Sequence, residues 1–569
     1  MKRTSRVLAI LLALAMLLSV TAFAAWDVYG GNANHNSVVT NAPTTATTTA
    51  LNSYIDLSNG GRGWDGVDNV PVMETVDGVT YAYVLYDGYS SYGGQLAKIN
   101  CSAATPYVVW HKQISASSGF QLSTPYLDTT NRAIYIGASN ASVYNNVAIS
   151  SPVALTAGTA GTVTINGLTL LTAANRVSVP VYVGHTSVAD RGTIATEGTA
   201  TIQLGSNADK AVSLTLSTTQ SSSGTIYKIY EQATYDDDGN VNGYDYYYYI
   251  NHSVSADTTE TENVTLSISV TLNGTGTIES VSMFANKGAV TKVTGIDSTD
   301  ASGVTLTSVV SSVNGQINTP ITRYGNYIYF GTWSGNSAMQ YYQVKINSSS
   351  FTAKTFTGNA GFYWAGAVKV GSYIYFGGDA GNLYYRSISK FDTTGGVVAL
   401  TDKASDAGNV RSTIMTDGTN LYFTSQGKYL WCYQPDDAGV PVYQWHIQLA
   451  GTSTSTPTLV QNSDGTTSIY TGYYSGFSDG GVQVTTVSGS TRTIATVASG
   501  FPVQCSILYS NGYVYFNTNA SGGAGYCYNA ATGTQVWATT ADTYALGGMA
   551  CDNGIIVFGN DYDHLYVVK

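Results

Sequence analysis

A short motif returns along the chain: a small residue, often followed by Pro, then a turn, then an apolar–Tyr–apolar triplet that usually ends on Gly. Thr124-Pro125 precedes Ile134-Tyr135-Ile136-Gly137, Thr319-Pro320 precedes Ile328-Tyr329-Phe330-Gly331, and Thr456-Pro457 precedes Ile469-Tyr470-Thr471-Gly472. Looser copies place Val70-Pro71 before Tyr81-Ala82-Tyr83, Ala365-Gly366 before Ile374-Tyr375-Phe376-Gly377, and Ser412-Thr413 before Leu421-Tyr422-Phe423. Two more put Cys505-Ser506 before Val514-Tyr515-Phe516 and Gly547-Gly548 before Ile556-Val557-Phe558-Gly559. The central column runs Tyr83, Tyr135, Tyr329, Tyr375, Tyr422, Tyr470, Tyr515 and Val557, with successive gaps of 52, 194, 46, 47, 48, 45 and 42 residues. A period of about 40–50 residues made of short strands is that of β-propeller blades. A helical solenoid has a similar period, but Gly-rich turns and β-branched runs exclude it.

The small residue before Pro opens the innermost strand, where blades crowd the axis. The triplet is the second strand, packed on both faces. The last copy ends after His564 to Val568, one strand short. Leu51 to Leu57, ahead of the first copy, is strand-like and would complete that blade, closing the ring and removing its open edges. The expectation is an all-β, eight-bladed β-propeller; seven blades is the alternative count.

The gap of 194 residues holds about 147 more than one period, enough for a domain. The blade pattern stops after Gly137-Ala138-Ser139-Asn140 and resumes near Ala289 to Val293. Between lie alternating Thr/Val/Ser-rich runs: Thr162–Ile165, Val177–Val183, Ala200–Leu204, Ala211–Leu216, Thr225–Ile229, Tyr246–Ile250 and Val264–Leu272. They read as an immunoglobulin-like β-sandwich, residues 141–287, inserted in blade two between propeller segments 25–140 and 288–569.

Composition narrows the function classes. Of 569 residues only 10% are charged, and the net charge is −11, so phosphate neutralisation has no basis and no nucleic-acid partner is expected. Lys2, Arg3 and Arg6, an apolar run from Val7 to Val20, and Ala22-Phe23-Ala24 read as a secretory signal peptide over residues 1–24. A secreted or cell-surface protein without a membrane span after cleavage is expected. Cys101, Cys432, Cys505, Cys527 and Cys551 are scattered, odd in number and without a CxxC pair, which excludes a disulfide scaffold.

One stretch is more specific. Asn529-Ala530-Ala531-Thr532-Gly533-Thr534-Gln535-Val536-Trp537 resembles the repeat of the pyrroloquinoline-quinone-like (PQQ-like) β-propeller family. Trp26-Asp27-Val28-Tyr29-Gly30-Gly31-Asn32-Ala33-Asn34-His35-Asn36 is similar to the opening segment of its members. The resemblance covers residues 26–140 and about 288–569. It implies the fold more firmly than the function, because the family spans quinoprotein dehydrogenases, a lipoprotein that helps assemble outer-membrane barrels, and secreted proteins without known activity. The dehydrogenases carry a vicinal disulfide, a Trp platform and a Glu/Asn/Asp set for calcium and base. This chain has no adjacent cysteines, so PQQ is not expected as a cofactor.

Other chemistry is sparse. His35, His111, His185, His252, His446 and His564 show no metal-ligand spacing. Asp238, Asn240, Asn242 and Asp245 around Gly243 resemble a calcium loop, with an ordinary hairpin tip as the other reading, since Tyr249 stands where the bidentate Glu belongs. Aromatic residues recur beside the innermost strands: Trp64, Phe120, Trp364, Phe501 and Tyr544, joined by Trp333 and Tyr473-Tyr474 after second strands. Arg62, Asp65, Asp379 and Arg411 supply a polar rim. Flat rings beside polar groups suit sugars or extended peptides; the other reading has these rings plugging the channel or packing between blades. The leading expectation is a non-catalytic binding or scaffolding module for an extracellular protein or polysaccharide. The alternatives are an enzyme, quinoprotein dehydrogenase or propeller hydrolase, and a structural cell-surface component.

Overall fold

The computed structural model describes residues 25–58, 66–88, 93–115, 121–147, 152–170, 175–204, 207–216, 226–236, 240–254, 262–334, 338–346 and 351–569. The expected leader and Arg62, Trp64, Asp65, Phe120 and Asp238 lie outside these residues.

The protein is all-β, and most of its sheets are antiparallel and four-stranded with strands in chain order. Val72–Val76, Val79–Gly88, Gly93–Asn100 and Tyr107–Gln113 form one; Val368–Val370, Tyr373–Gly378, Asn382–Ser387 and Gly395–Ala399 form another. The repeated triplets occupy second strands, where Tyr329, Tyr375, Phe423 and Val557 are fully buried. A strand covered on both faces cannot alternate polar and apolar residues. Fourth strands do alternate, as in Thr352–Thr357.

Side-chain hydroxyls on or beside the first strands link neighbouring sheets. Thr124 Oγ1 accepts from Val70 N at 3.1 Å, Ser123 Oγ donates to Thr319 O at 2.7 Å, and Thr456 Oγ1 accepts from Thr413 N at 3.0 Å. Thr458 Oγ1 donates to Ile507 O at 2.5 Å. Thr124 and Thr456, each before a Pro, are therefore small for space and hydroxylated for pairing between sheets. The last sheet meets the first where Thr75 Oγ1 donates to Asp552 Oδ2 at 2.8 Å, so the sheets close on themselves in a propeller-like order.

Both chain ends secure this closure. Ile55–Asp56 pairs antiparallel with Leu565 and His564, in the place expected for the missing strand. The strand is shorter than expected: Leu51 ends a helical turn, Thr48–Leu51, capped by the Thr47 hydroxyl, and only Ile55 and Asp56 pair. The segment before it crosses sheet after sheet. Trp26 O accepts from Met73 N at 2.8 Å and Asp27 O from Leu127 N at 2.8 Å. Ala33 O accepts from the Tyr324 hydroxyl at 2.8 Å and Asn34 O from Thr416 N at 3.1 Å. The Asn36 amide meets Leu459 N at 2.8 Å and Leu459 O at 2.9 Å. Val38–Val39 then pairs in parallel with Tyr509 and Ser510. Gly31 is required here: its φ is +71°, and a Cβ would stand 2.5 Å from the buried Trp26 ring.

Burial pushes the Asp27 carboxyl up to about 6. A raised carboxyl contributes stability at low pH that is lost as pH rises from about 4 through about 6. Asp27→Asn is expected to raise stability at pH 7.5 by roughly 3 kcal/mol and to change little at pH 4. Urea unfolding of both proteins at the two pH values checks this.

Residues 141–287 contain every strand expected there, but the join is not a loop. Ala133–Val147 and Val281–Thr294 are two long strands paired from Ala133↔Thr294 to Val147↔Val281. The expected boundaries fall within this ribbon, where Asn140 lies opposite Lys287. Beyond it, a four-stranded sheet containing Gly161–Leu170 and Glu262–Leu272 shares a core with Asn175–Ser187 and Val241–Val254. Replacing residues 141–286 by an Asn-Gly turn should leave a soluble ring with unchanged melting, because facing strand positions accept a two-residue turn. An aggregated product in size-exclusion chromatography would contradict this.

All five cysteines are free and buried, and burial pushes each thiol up to about 12. Among the described residues no helix is long and apolar enough to cross a membrane.

Candidate functional site

Loops entering the first strands and leaving the second strands open on one cleft. It encloses about 460 Å³, within the roughly 300–1,000 Å³ of small-molecule sites. Tyr363, Trp364, Tyr474, Phe477 and Tyr544 line it, with Arg411, Gln426, Thr454, Gln504 and Asn519 between them.

One wall is fixed by charge. Arg411 donates to Asp379 through Nε at 2.8 Å and Nη2 at 2.7 Å, a bidentate pair. Trp333 Nε1 donates to the same carboxylate at 3.1 Å. The Arg411 guanidinium stands 4.7 Å from the Tyr363 ring centre. Tyr363 meets Trp333 edge-on at 5.1 Å and Trp364 at 4.7 Å. Burial pulls the Arg411 guanidinium down, but the bonds and charge of Asp379, with Tyr363 and Tyr474, together hold the group above its ordinary range. Burial also raises the Tyr474 phenol, against the opposing hydrogen bond from Gln426.

Trp364 has φ +55°. A bulky residue in the left-handed region is a true outlier, costing about 1–3 kcal/mol, and such strain collects at functional sites. Two donors hold the turn: Gly366 N at 2.8 Å and Thr413 Oγ1 at 3.1 Å, both to Trp364 O. On the opposite wall Phe477, 62% exposed, meets Tyr544 edge-on at 5.7 Å.

Below the cleft the space narrows to about 40 Å³ between Asn69, Leu122, Thr124 and Tyr29, room for a few waters by the ~10–15 Å³ each requires. Tyr29 belongs to the crossing segment, and its hydroxyl meets Thr456 Oγ1 at 3.1 Å. Behind it His35 is buried, each ring nitrogen 2.8 Å from a carbonyl oxygen, of Tyr29 and of Ala367. Asn69 donates to Leu85 O and Gln121 O, while its Oδ1 meets no donor among the described residues.

Of the residues expected in a rim, Trp333, Trp364, Asp379 and Arg411 come together and Tyr544 faces them across the cleft. Phe501 does not belong with them. Half-buried, it stacks on Tyr526 at 4.9 Å and packs on Phe516, against a core between sheets. Phe477, Gln426, Gln504 and Asn519 escaped the sequence reading, although Phe477 follows Tyr473-Tyr474 in a loop already assigned to this face.

The described members of the calcium-like loop sit on a hairpin arm. Asn242 Oδ1 accepts from Thr234, and Asp245 pairs with His185 at 3.0 Å. Asn240 N donates to Asp236 Oδ1 at 2.8 Å, and Asn242 is the extra residue at a register shift in this arm. Among the described residues no three His, Cys, Asp or Glu cluster as a metal set. A second carboxylate–imidazole pair among the described residues is Asp542–His564 at 2.6 Å, with the His564 ring covered by Tyr54 at 3.6 Å.

No protein family matches the chain, and no curated protein does. Among solved structures it is similar to BamB from Moraxella catarrhalis, at 12% identity over 45% of this chain and 85% of that one, with a TM-score of 0.32. It is similar to a chain of a mitotic checkpoint complex, at 13% identity over 50% and 84%, with a TM-score of 0.35. It is also similar to a europium-containing methanol dehydrogenase, at 8% identity over 96% and 89%, with a TM-score of 0.42.

Proposed function

We propose that the protein is a secreted, non-catalytic binding module. Its ring is an eight-bladed PQQ-like β-propeller with an immunoglobulin-like sandwich inserted in blade two, and its mouth receives an extracellular protein or polysaccharide. The observation that carries this reading is the cleft itself: rings on facing walls, one of them strained, around a fixed Arg411–Asp379 pair and above a floor closed by the chain's own segment. Aromatic faces with a few placed polar groups are the usual makeup of a recognition site. The basic and apolar opening of the sequence supports export.

Retention on the insoluble extracellular material of the producing cells tests the reading. Wild-type protein should co-sediment with it, and the Trp364→Ala/Tyr544→Ala double variant should stay in the supernatant. Equal retention of both would defeat the reading.

A further inference from the structure

We infer that the mouth is a site for a neutral polysaccharide, whose sugar ring lies on Trp364 and hydrogen-bonds to the amides of Gln504 and Asn519. This rests on the binding reading above and names the class of ligand.

Charge excludes the anionic polymers. Arg411 is the only Lys or Arg among the described residues lining the cleft, and its charge is already paired by the Asp379 carboxylate through its Nε/Nη2 edge. The other charged groups there, Asp68 and Asp561, are acidic and already engaged. A chain of net charge −11 adds no long-range attraction for uronates or sulfated glycans.

The uncharged polar groups have the complementary chemistry. Gln504 and Asn519 are held through their backbones, and their side-chain amides make no hydrogen bond to any described residue; Asn519 is 7% exposed. An amide both donates and accepts, as a sugar hydroxyl does. The apolar C–H face of a pyranose matches an indole face, and Trp364 is held in a costly backbone conformation at that place. The narrow space below admits water but no sugar, so a polymer lies across the mouth instead of threading through the ring. A protein partner would use paired side-chain pockets or a free strand edge, and the sheets here meet one another in a closed order.

Tryptophan fluorescence titration of the whole protein tests this with cellohexaose, laminarihexaose, mannohexaose and chitohexaose, and with polygalacturonate and dextran sulfate as anionic probes. At least one neutral hexasaccharide should bind and the anionic polymers should not. Trp364→Ala should weaken that binding by about tenfold or more, as a recognition hot spot does, and Asn519→Ala should weaken it with an unchanged melt. Binding of anionic polymers alone, binding of no probe, or neutral binding indifferent to both substitutions would overturn the inference. If no probe binds while retention on extracellular material still depends on Trp364 and Tyr544, only the ligand class is wrong. If that retention is also indifferent, the binding reading falls with it.

Discussion

A chain lacking residues 26–39 is expected to lose cooperative unfolding altogether. Trp26 is 2% exposed within a core that also holds Met73, Met549 and Phe558. Emptying such a site costs about 3–5 kcal/mol, so Trp26→Ala alone should be strongly destabilising. The Asn36 amide satisfies both backbone groups of Leu459, and each group left unpaired in the interior adds roughly 1–3 kcal/mol. The carbonyls of Trp26, Asp27 and Asn34 hold three further sheets. These terms together approach the ~5–15 kcal/mol by which a protein is stable at all. Urea unfolding followed by circular dichroism checks the expectation; a wild-type midpoint for the truncated chain would show that the segment decorates a ring already closed by Ile55–Asp56.

Asp379→Ala should cost about 3 kcal/mol or more, the penalty for leaving half of a buried pair alone. Asp379 is 4% exposed and accepts from Arg411 twice and from Trp333 once. Losing it frees Arg411 beside Tyr363 and leaves the Trp333 indole without its acceptor, so the wall should loosen as well as weaken. Asp379→Asn keeps an acceptor for one donor and should cost less. Urea midpoints of the two variants measure this, and a loss below about 1 kcal/mol would class the pair with ordinary surface ion pairs.

The repeat was legible because a second strand squeezed between two sheets favours an apolar triplet, most often centred on Tyr, whatever its neighbours are. The closing strand followed from a missing one. The path of residues 26–39 was not legible, because it works largely through backbone carbonyls that leave no side-chain pattern. The ribbon of Ala133–Val147 with Val281–Thr294 passes from the ring into the next core without a turn signal, so a boundary drawn by pattern falls in mid-strand. Within the mouth, residue types identified Arg411 and Asp379 but not that they bind each other across 32 positions. Phe501 shows the limit from the other side. Its place before a first strand is that of Trp364, yet its ring turns onto Tyr526 and against a core.

Unfolding of Trp364→Gly tests most directly whether the mouth is a binding surface or part of the core. Gly adopts the left-handed conformation freely, which returns about 1 kcal/mol or more, and the indole is only partly buried. The variant is expected within about 1 kcal/mol of wild type, or above it, with binding weakened by about tenfold or more. A loss of about 3–5 kcal/mol, the cost of emptying a buried aromatic site, would make Trp364 a plug of the channel and contradict the account.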